Sequence, residues 1–163
     1  MKKNITVLLL FVLASCNPIG ESVGETPLIE NGISSINDIN LKKGDKITFW
    51  NKVATRKDSS FAKYKIRYSI SLDGKVVKYD STYVSNGKHE INSKTKIEEI
   101  VHSSSTEKDS IEYVKNWEFE IKNNSFFTVP KDGNYNFDFK LYIPEMDFFE
   151  KNNSSTSIII RKK

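Results

Sequence analysis

The sequence predicts an all-β protein, a single β-sandwich of about eight strands, and three observations predict it. Apolar residues recur with period two over most of residues 38–163, the spacing at which side chains point alternately to the two faces of a strand. Turn signals interrupt these runs at Lys43-Gly44-Asp45, Asp73-Gly74, Asn86-Gly87 and Lys131-Asp132-Gly133, close to the roughly 8–12-residue rhythm of sandwich folds. No window carries an apolar stripe of helical period with capping residues at its ends.

The chain opens with Met1-Lys2-Lys3, an apolar run from Ile5 to Leu13, and Ala14-Ser15-Cys16. A basic tip, a short apolar stretch and small residues before a cut define a secretory signal peptide, expected over residues 1–15. The run is far shorter than the roughly 20 residues a spanning helix needs. Leu13-Ala14-Ser15-Cys16 resembles the bacterial lipobox, aliphatic-small-small-cysteine. The resemblance implies that the Cys16 thiol receives diacylglycerol, that the leader is cut away, and that the new amino group is acylated. Three acyl chains satisfy the rule that stable anchoring takes at least two lipid signals. Asn17 departs from the aspartate that retains lipoproteins in inner membranes, which implies the cell outer membrane with the domain facing the periplasm. Surface display is the alternative. Cys16 is the single cysteine, so its lipidation leaves no thiol for a disulfide or a metal site.

Residues 17–37 are rich in Gly, Pro, Ser, Glu and Asn without sustained periodicity. They read as a flexible tether of roughly 25 Å root-mean-square reach. The sandwich is expected over residues 38–163. Ile39–Leu41 leads through the Lys43-Gly44-Asp45 turn into Ile47–Val53. Tyr64, Ile66, Tyr68, Ile70 and Leu72 then alternate with Lys65, Arg67, Ser69 and Ser71. Asp73-Gly74 tolerates the positive φ of a primed turn and predicts a tight hairpin into Lys75–Val84, which carries Val77, Tyr79 and Tyr83. Further strands are expected over Thr95–Ser103, Ile111–Ile121, Phe126–Val129 and Tyr135–Ile143, the last ended by Pro144. Ser157–Arg161 closes the set.

Composition narrows the function. The formal charge of +4 halves once Lys2 and Lys3 leave with the signal, so no concentrated basic face argues for nucleic acid. Arg161-Lys162-Lys163 reads as a basic tail that aids solubility, with phospholipid headgroup binding as the alternative. His89 and His102 lack ligand spacing, and no cofactor or metal is expected. No Gly-x-Ser-x-Gly elbow or phosphate-binding loop is present, and no catalytic residue stands out. Asp80-Ser81-Thr82 and Asp109-Ser110-Ile111 resemble an O-glycosylation signal of some envelope bacteria.

The aromatic residues supply the candidate interaction surface. Trp117 shares parity with Tyr113, Phe119 and Ile121 and is assigned to the core. Ile47, Phe49 and Val53 make the more apolar face of their strand, leaving Trp50 with Thr48 and Lys52 on the other. There it either serves a sugar ring or a protein partner, or is covered by a bulge or an edge loop. Met146, Phe148 and Phe149, beside acidic residues between Pro144 and Glu150, either form an interface or plug one end of the sandwich.

The segment Val129-Pro130-Lys131-Asp132-Gly133-Asn134-Tyr135-Asn136-Phe137 resembles the corner before a late strand of immunoglobulin-like sandwiches, where a tyrosine hydroxyl bonds back to the backbone; jelly rolls use similar corners. Leu41–Asp45, Phe49-Trp50, Asp73-Gly74-Lys75 and this corner together look like a group of small envelope lipoproteins of unassigned function. By analogy of fold and anchor with the small β-sandwich lipoproteins of secretion and gliding machines, the expectation is a non-enzymatic accessory subunit of such an envelope assembly, with an envelope protein as partner. The alternative is a glycan- or small-ligand-binding module.

Overall fold

The computed structural model describes residues 19–56, 64–84, 95–99, 111–121, 126–142 and 155–163. Within them run ten strands and no helix: β1 (Glu21–Pro27), β2 (Ser34–Leu41), β3 (Lys46–Arg56), β4 (Tyr64–Leu72), β5 (Lys75–Val84), β6 (Thr95–Glu99), β7 (Ile111–Glu120), β8 (Phe126–Thr128), β9 (Gly133–Tyr142) and β10 (Ser155–Lys162). They form two antiparallel sheets. One has the order β1-β10-β3-β7-β6, with β8 pairing the start of β3; the other has the order β2-β9-β4-β5. The two sheets pack face to face, so the fold is a β-sandwich.

Period two builds the core. Alternate residues of β4 (Tyr64 to Leu72) and β9 (Tyr135 to Leu141) face Ile47, Phe49 and Val53 of β3 and Ile158 and Ile160 of β10. Phe49 sits at the centre. Its ring meets Tyr68 edge-on at 4.9 Å between centroids, Phe139 at 5.4 Å and Phe137 at 6.3 Å, the tilted geometry that aromatic quadrupoles favour. One polar cluster lies inside: the Tyr64 hydroxyl donates to Asn51 Oδ1 at 2.7 Å and lies 2.7 Å from Thr156 Oγ1.

Among the described residues the turns follow the sequence expectation; Asn86-Gly87 lies outside them. Asp73 (φ 51°) and Gly74 (φ 74°) both occupy the left-handed region, as a two-residue primed hairpin requires. The Lys42 carbonyl accepts from the Asp45 N–H at 3.0 Å. At the β8–β9 corner the Tyr135 hydroxyl donates to the Lys131 carbonyl at 2.7 Å, the bond expected of such a tyrosine.

Two expectations fail. Residues 16–37 are not a tether throughout, because residues 21–27 form β1, residues 34–37 open β2, and β1 pairs with β10 from Glu21↔Lys162 to Pro27↔Ser157. Ser, Gly and Pro are poor strand formers and hid an edge strand whose order comes from its partner. A register shift falls between Ser22 and Gly24, and a Cβ on Gly24 would lie 2.6 Å from Ile36 Cγ2. Glycine is therefore what lets β1 close against β2 at the sandwich edge. Nor is Arg161-Lys162-Lys163 a tail: Arg161 and Lys162 are strand residues paired with Thr48 and Ile47, and Lys163 exchanges backbone hydrogen bonds with Lys46.

Candidate functional site

Sequence reasoning pointed to Trp50, Met146, Phe148 and Phe149. Trp50 does lie on the face of β3 away from the core, yet only 1% of it is exposed. The Arg161 guanidinium covers its ring at 5.3 Å from the centroid. That guanidinium also binds the Glu118 carboxylate and donates to the Gly20 carbonyl at 3.2 Å. The indole N–H donates to Thr48 Oγ1 at 3.2 Å. Trp50 is thus a structural residue and presents no free ring to a ligand. Cys16, Met146, Phe148, Phe149, His89, His102 and Asp109-Ser110 lie outside the described residues, as does the Trp117 side chain. Among the described residues no group of three or more His, Cys, Asp or Glu is placed to hold a metal ion.

The exposed chemistry gathers instead on the outer face of the four-stranded sheet. β4 buries its even-numbered residues, so Lys65, Arg67 and Ser69 turn outward. On β5 the buried residues are Thr82 and Val84, and the apolar Val77, Tyr79 and Tyr83 face solvent. Antiparallel pairing sets these side chains in rows. Lys65 lies between Tyr83 and Tyr142, Arg67 between Ser81 and Lys140, and Ser69 between Tyr79 and Asp138. Tyr79, Tyr83 and Tyr142 are 69%, 67% and 56% exposed. Lys65 Nζ stands 5.5 Å from the Tyr83 ring centroid and the Arg67 guanidinium 5.9 Å from that of Tyr142, within the reach of cation–π attraction.

No protein-family model, no curated protein and no solved structure matches the chain.

A hollow of about 260 Å³ opens on this face, lined among others by Ile33, Arg67, Ser69, Tyr79, Asp138 and Lys140. Its acid is already engaged, since Ser35 Oγ donates to Asp138 Oδ1 at 2.6 Å. Its cations are not: Arg67 and Lys140 sit directly opposite each other on neighbouring strands, and among the described residues neither has a carboxylate partner. Like charges directly opposed across a strand pair are destabilising. An acidic ligand laid on the face relieves that repulsion, while the tyrosines offer flat, rigid, amphipathic area. Ser81, of the Asp80-Ser81-Thr82 tripeptide, lies in the same row as Arg67, whereas Thr82 is buried.

The signal for this surface was present in the sequence. Lys65 and Arg67 alternate with a plainly apolar set on β4, and Lys140 does the same on β9. On β5 the tyrosines and valines took the place of an inward stripe, and alternation alone does not say which face meets water.

Proposed function

We propose that the protein is a non-enzymatic, lipid-anchored envelope protein held at the cell outer membrane through Cys16, whose outer sheet face binds an acidic surface of an envelope protein partner. The observation that carries the reading is the facing pair Arg67 and Lys140, flanked by Tyr79, Tyr83 and Tyr142. Tyrosine and arginine dominate the energetics of protein interfaces, and a facing cation pair with no carboxylate partner among the described residues selects for acidic partners and speeds encounter. The leader and Leu13-Ala14-Ser15-Cys16 support export and acylation. The periplasm-facing orientation and a role in a secretion or gliding assembly rest on analogy of fold and anchor.

The hollow beside Tyr79 favours one second reading, a glycan-binding module in which the ring stacks on a sugar and Arg67 or Lys140 meets its carboxylate. A single experiment separates the two. Tagged wild-type and Arg67→Glu/Lys140→Glu proteins are recovered from native envelopes in mild detergent, and their companions identified by mass spectrometry. Stoichiometric companions lost with the double variant establish the protein partner. Wild-type protein that comes out alone, yet binds acidic oligosaccharides in calorimetry, supports the module; neither result leaves the face without a function.

A further inference from the structure

β1 begins at Glu21, five residues after Cys16. Five Cα–Cα steps extend at most about 18 Å. Whatever course the intervening residues take, an acylated Cys16 keeps the start of β1 within that distance of the headgroups. The end of the sandwich where β1 starts is fixed by the pairing. Glu21 lies beside Lys162, Lys162 beside Ile47 at the start of β3, and Lys46 beside Thr128 at the end of β8. The β2–β3 turn, the β8–β9 corner and the β4–β5 hairpin all sit at this same end.

This end is rich in lysine. Lys42 and Lys131 are matched by Asp132 at 3.4 Å and Asp73 at 3.6 Å, and Lys163 by Glu120 at 3.2 Å. Asp45 is turned back onto the Lys42 backbone N–H. Lys43, Lys46, Lys75 and Lys162 have no ion-pair partner among the described residues, and the first three are exposed. Asp45 and Glu21 are the rim acids without a lysine partner among the described residues, two against these four lysines. The result is a cationic end carried where the anchor emerges.

We propose that this end of the sandwich seats on the phosphates of anionic phospholipids in the membrane that holds Cys16. The inference rests on lipid anchoring, and takes its direction from the short chain between Cys16 and β1. Each basic residue near a negatively charged bilayer adds to binding, within a distance set by ionic screening. Seating this end stands the strands away from the bilayer and leaves the tyrosine–cation face open sideways, free for a partner in the same envelope layer.

The test uses the mature, acylated chain reconstituted in vesicles of phosphatidylcholine, with and without about one-third phosphatidylglycerol. The mass of the N-terminal peptide is measured first. An unacylated Cys16 overturns the anchoring reading and this one together. With acylation in hand, amide exchange is followed across Lys42–Lys46 and Lys131–Gly133. Exchange slowed about fivefold or more by the anionic lipid, and restored by about 0.5 M salt, is the expected result. A Lys43→Glu/Lys46→Glu/Lys75→Glu/Lys162→Glu variant, shown by circular dichroism to keep its fold, loses the slowing. Equal exchange on both vesicles with Cys16 acylated overturns the headgroup contact alone and leaves the anchor standing.

Discussion

One half-buried side chain and one buried one show how single residues set this molecule's stability. Arg161 holds the Trp50 ring, the Glu118 carboxylate and the Gly20 carbonyl at once, joining β10 to three neighbouring segments. Replacing it by alanine uncovers the indole and strands a largely buried carboxylate, at a cost of about 2–4 kcal/mol. Lysine restores charge without the planar fork and recovers only part of it. Urea denaturation of the three proteins checks this, and equal stability of Arg161→Ala and wild type sinks it. Tyr64 makes the complementary case. Burial pushes its phenol well above the ordinary value of 10.0, against the smaller, lowering effects of Thr156 and Asn51. The folded phenol holds its proton where the unfolded one releases it. The folded state therefore keeps its full stability below about pH 10 and loses it as pH rises from there. Tyr64→Phe costs about 1 kcal/mol at neutral pH but flattens the alkaline fall, so the two stability curves converge above pH 10. Parallel curves would assign the alkaline loss to another group.

At the scale of elements, two corners are tied through one carboxylate. The Lys43 backbone N–H donates to Asp132 Oδ1 at 2.8 Å, and Lys42 reaches Oδ2 at 3.4 Å. The backbone bond first, then the lysines, hold the Asp132 carboxyl below its ordinary value. A lowered folded pKa gives stability that is present above the unfolded value near 4 and drains away as pH falls through the folded one. Acidification should therefore lower the protection of the Lys43 amide, taken relative to its intrinsic exchange rate at each pH, before the core opens, and Asp132→Ala should show the low protection already at neutral pH. An amide that stays slow in that variant removes the tie between corners. The turn chemistry here was legible in advance: Asp73-Gly74, Gly44 and the Tyr135 corner adopted the forms their residue types demand. The strands β4 and β9 were legible for a similar reason, since each buries one face and writes that in alternation. β5 was legible as a strand but not in its orientation. Apart from Val84, its apolar residues mark the exposed side, because the inward row also holds Thr82 and the half-buried Asp80, whose carboxylate lies 3.5 Å from the Tyr68 hydroxyl.

For the whole molecule, the decisive element was the one least visible in the sequence. Trp50 looked available because parity put it on an outer face, and the distant Arg161 covers its ring; contacts across such separations leave no local trace. β1 was hidden in the same way. Its residues are unremarkable as a strand, and its order comes from the apolar Ile158-Ile159-Ile160 run of β10 that it flanks. It is also the strand that follows Cys16 most closely in the sequence, so under the anchoring proposed above its docking would decide both how the sandwich is sealed and how far it stands from the membrane. Gly24 gives a means of separating β1 from the rest. A valine there meets Ile36 on β2, where a Cβ already lies 2.6 Å from Cγ2, and overpacking of this kind costs about 1–3 kcal/mol. Gly24→Val should loosen β1 from the edge and bare the backbone of β10, an exposed edge of the kind that promotes association. Three readouts should move together: faster exchange of the β10 amides that bond to β1, a lower denaturation midpoint, and concentration-dependent association of the detergent-solubilised protein. Gly24→Ala, which adds only the Cβ, should fall between valine and wild type. If β10 exchange is unchanged in the valine variant while the midpoint still drops, the stability of this edge lies in β2 and not in β1, and the short link from Cys16 to the sandwich ceases to be a structural constraint.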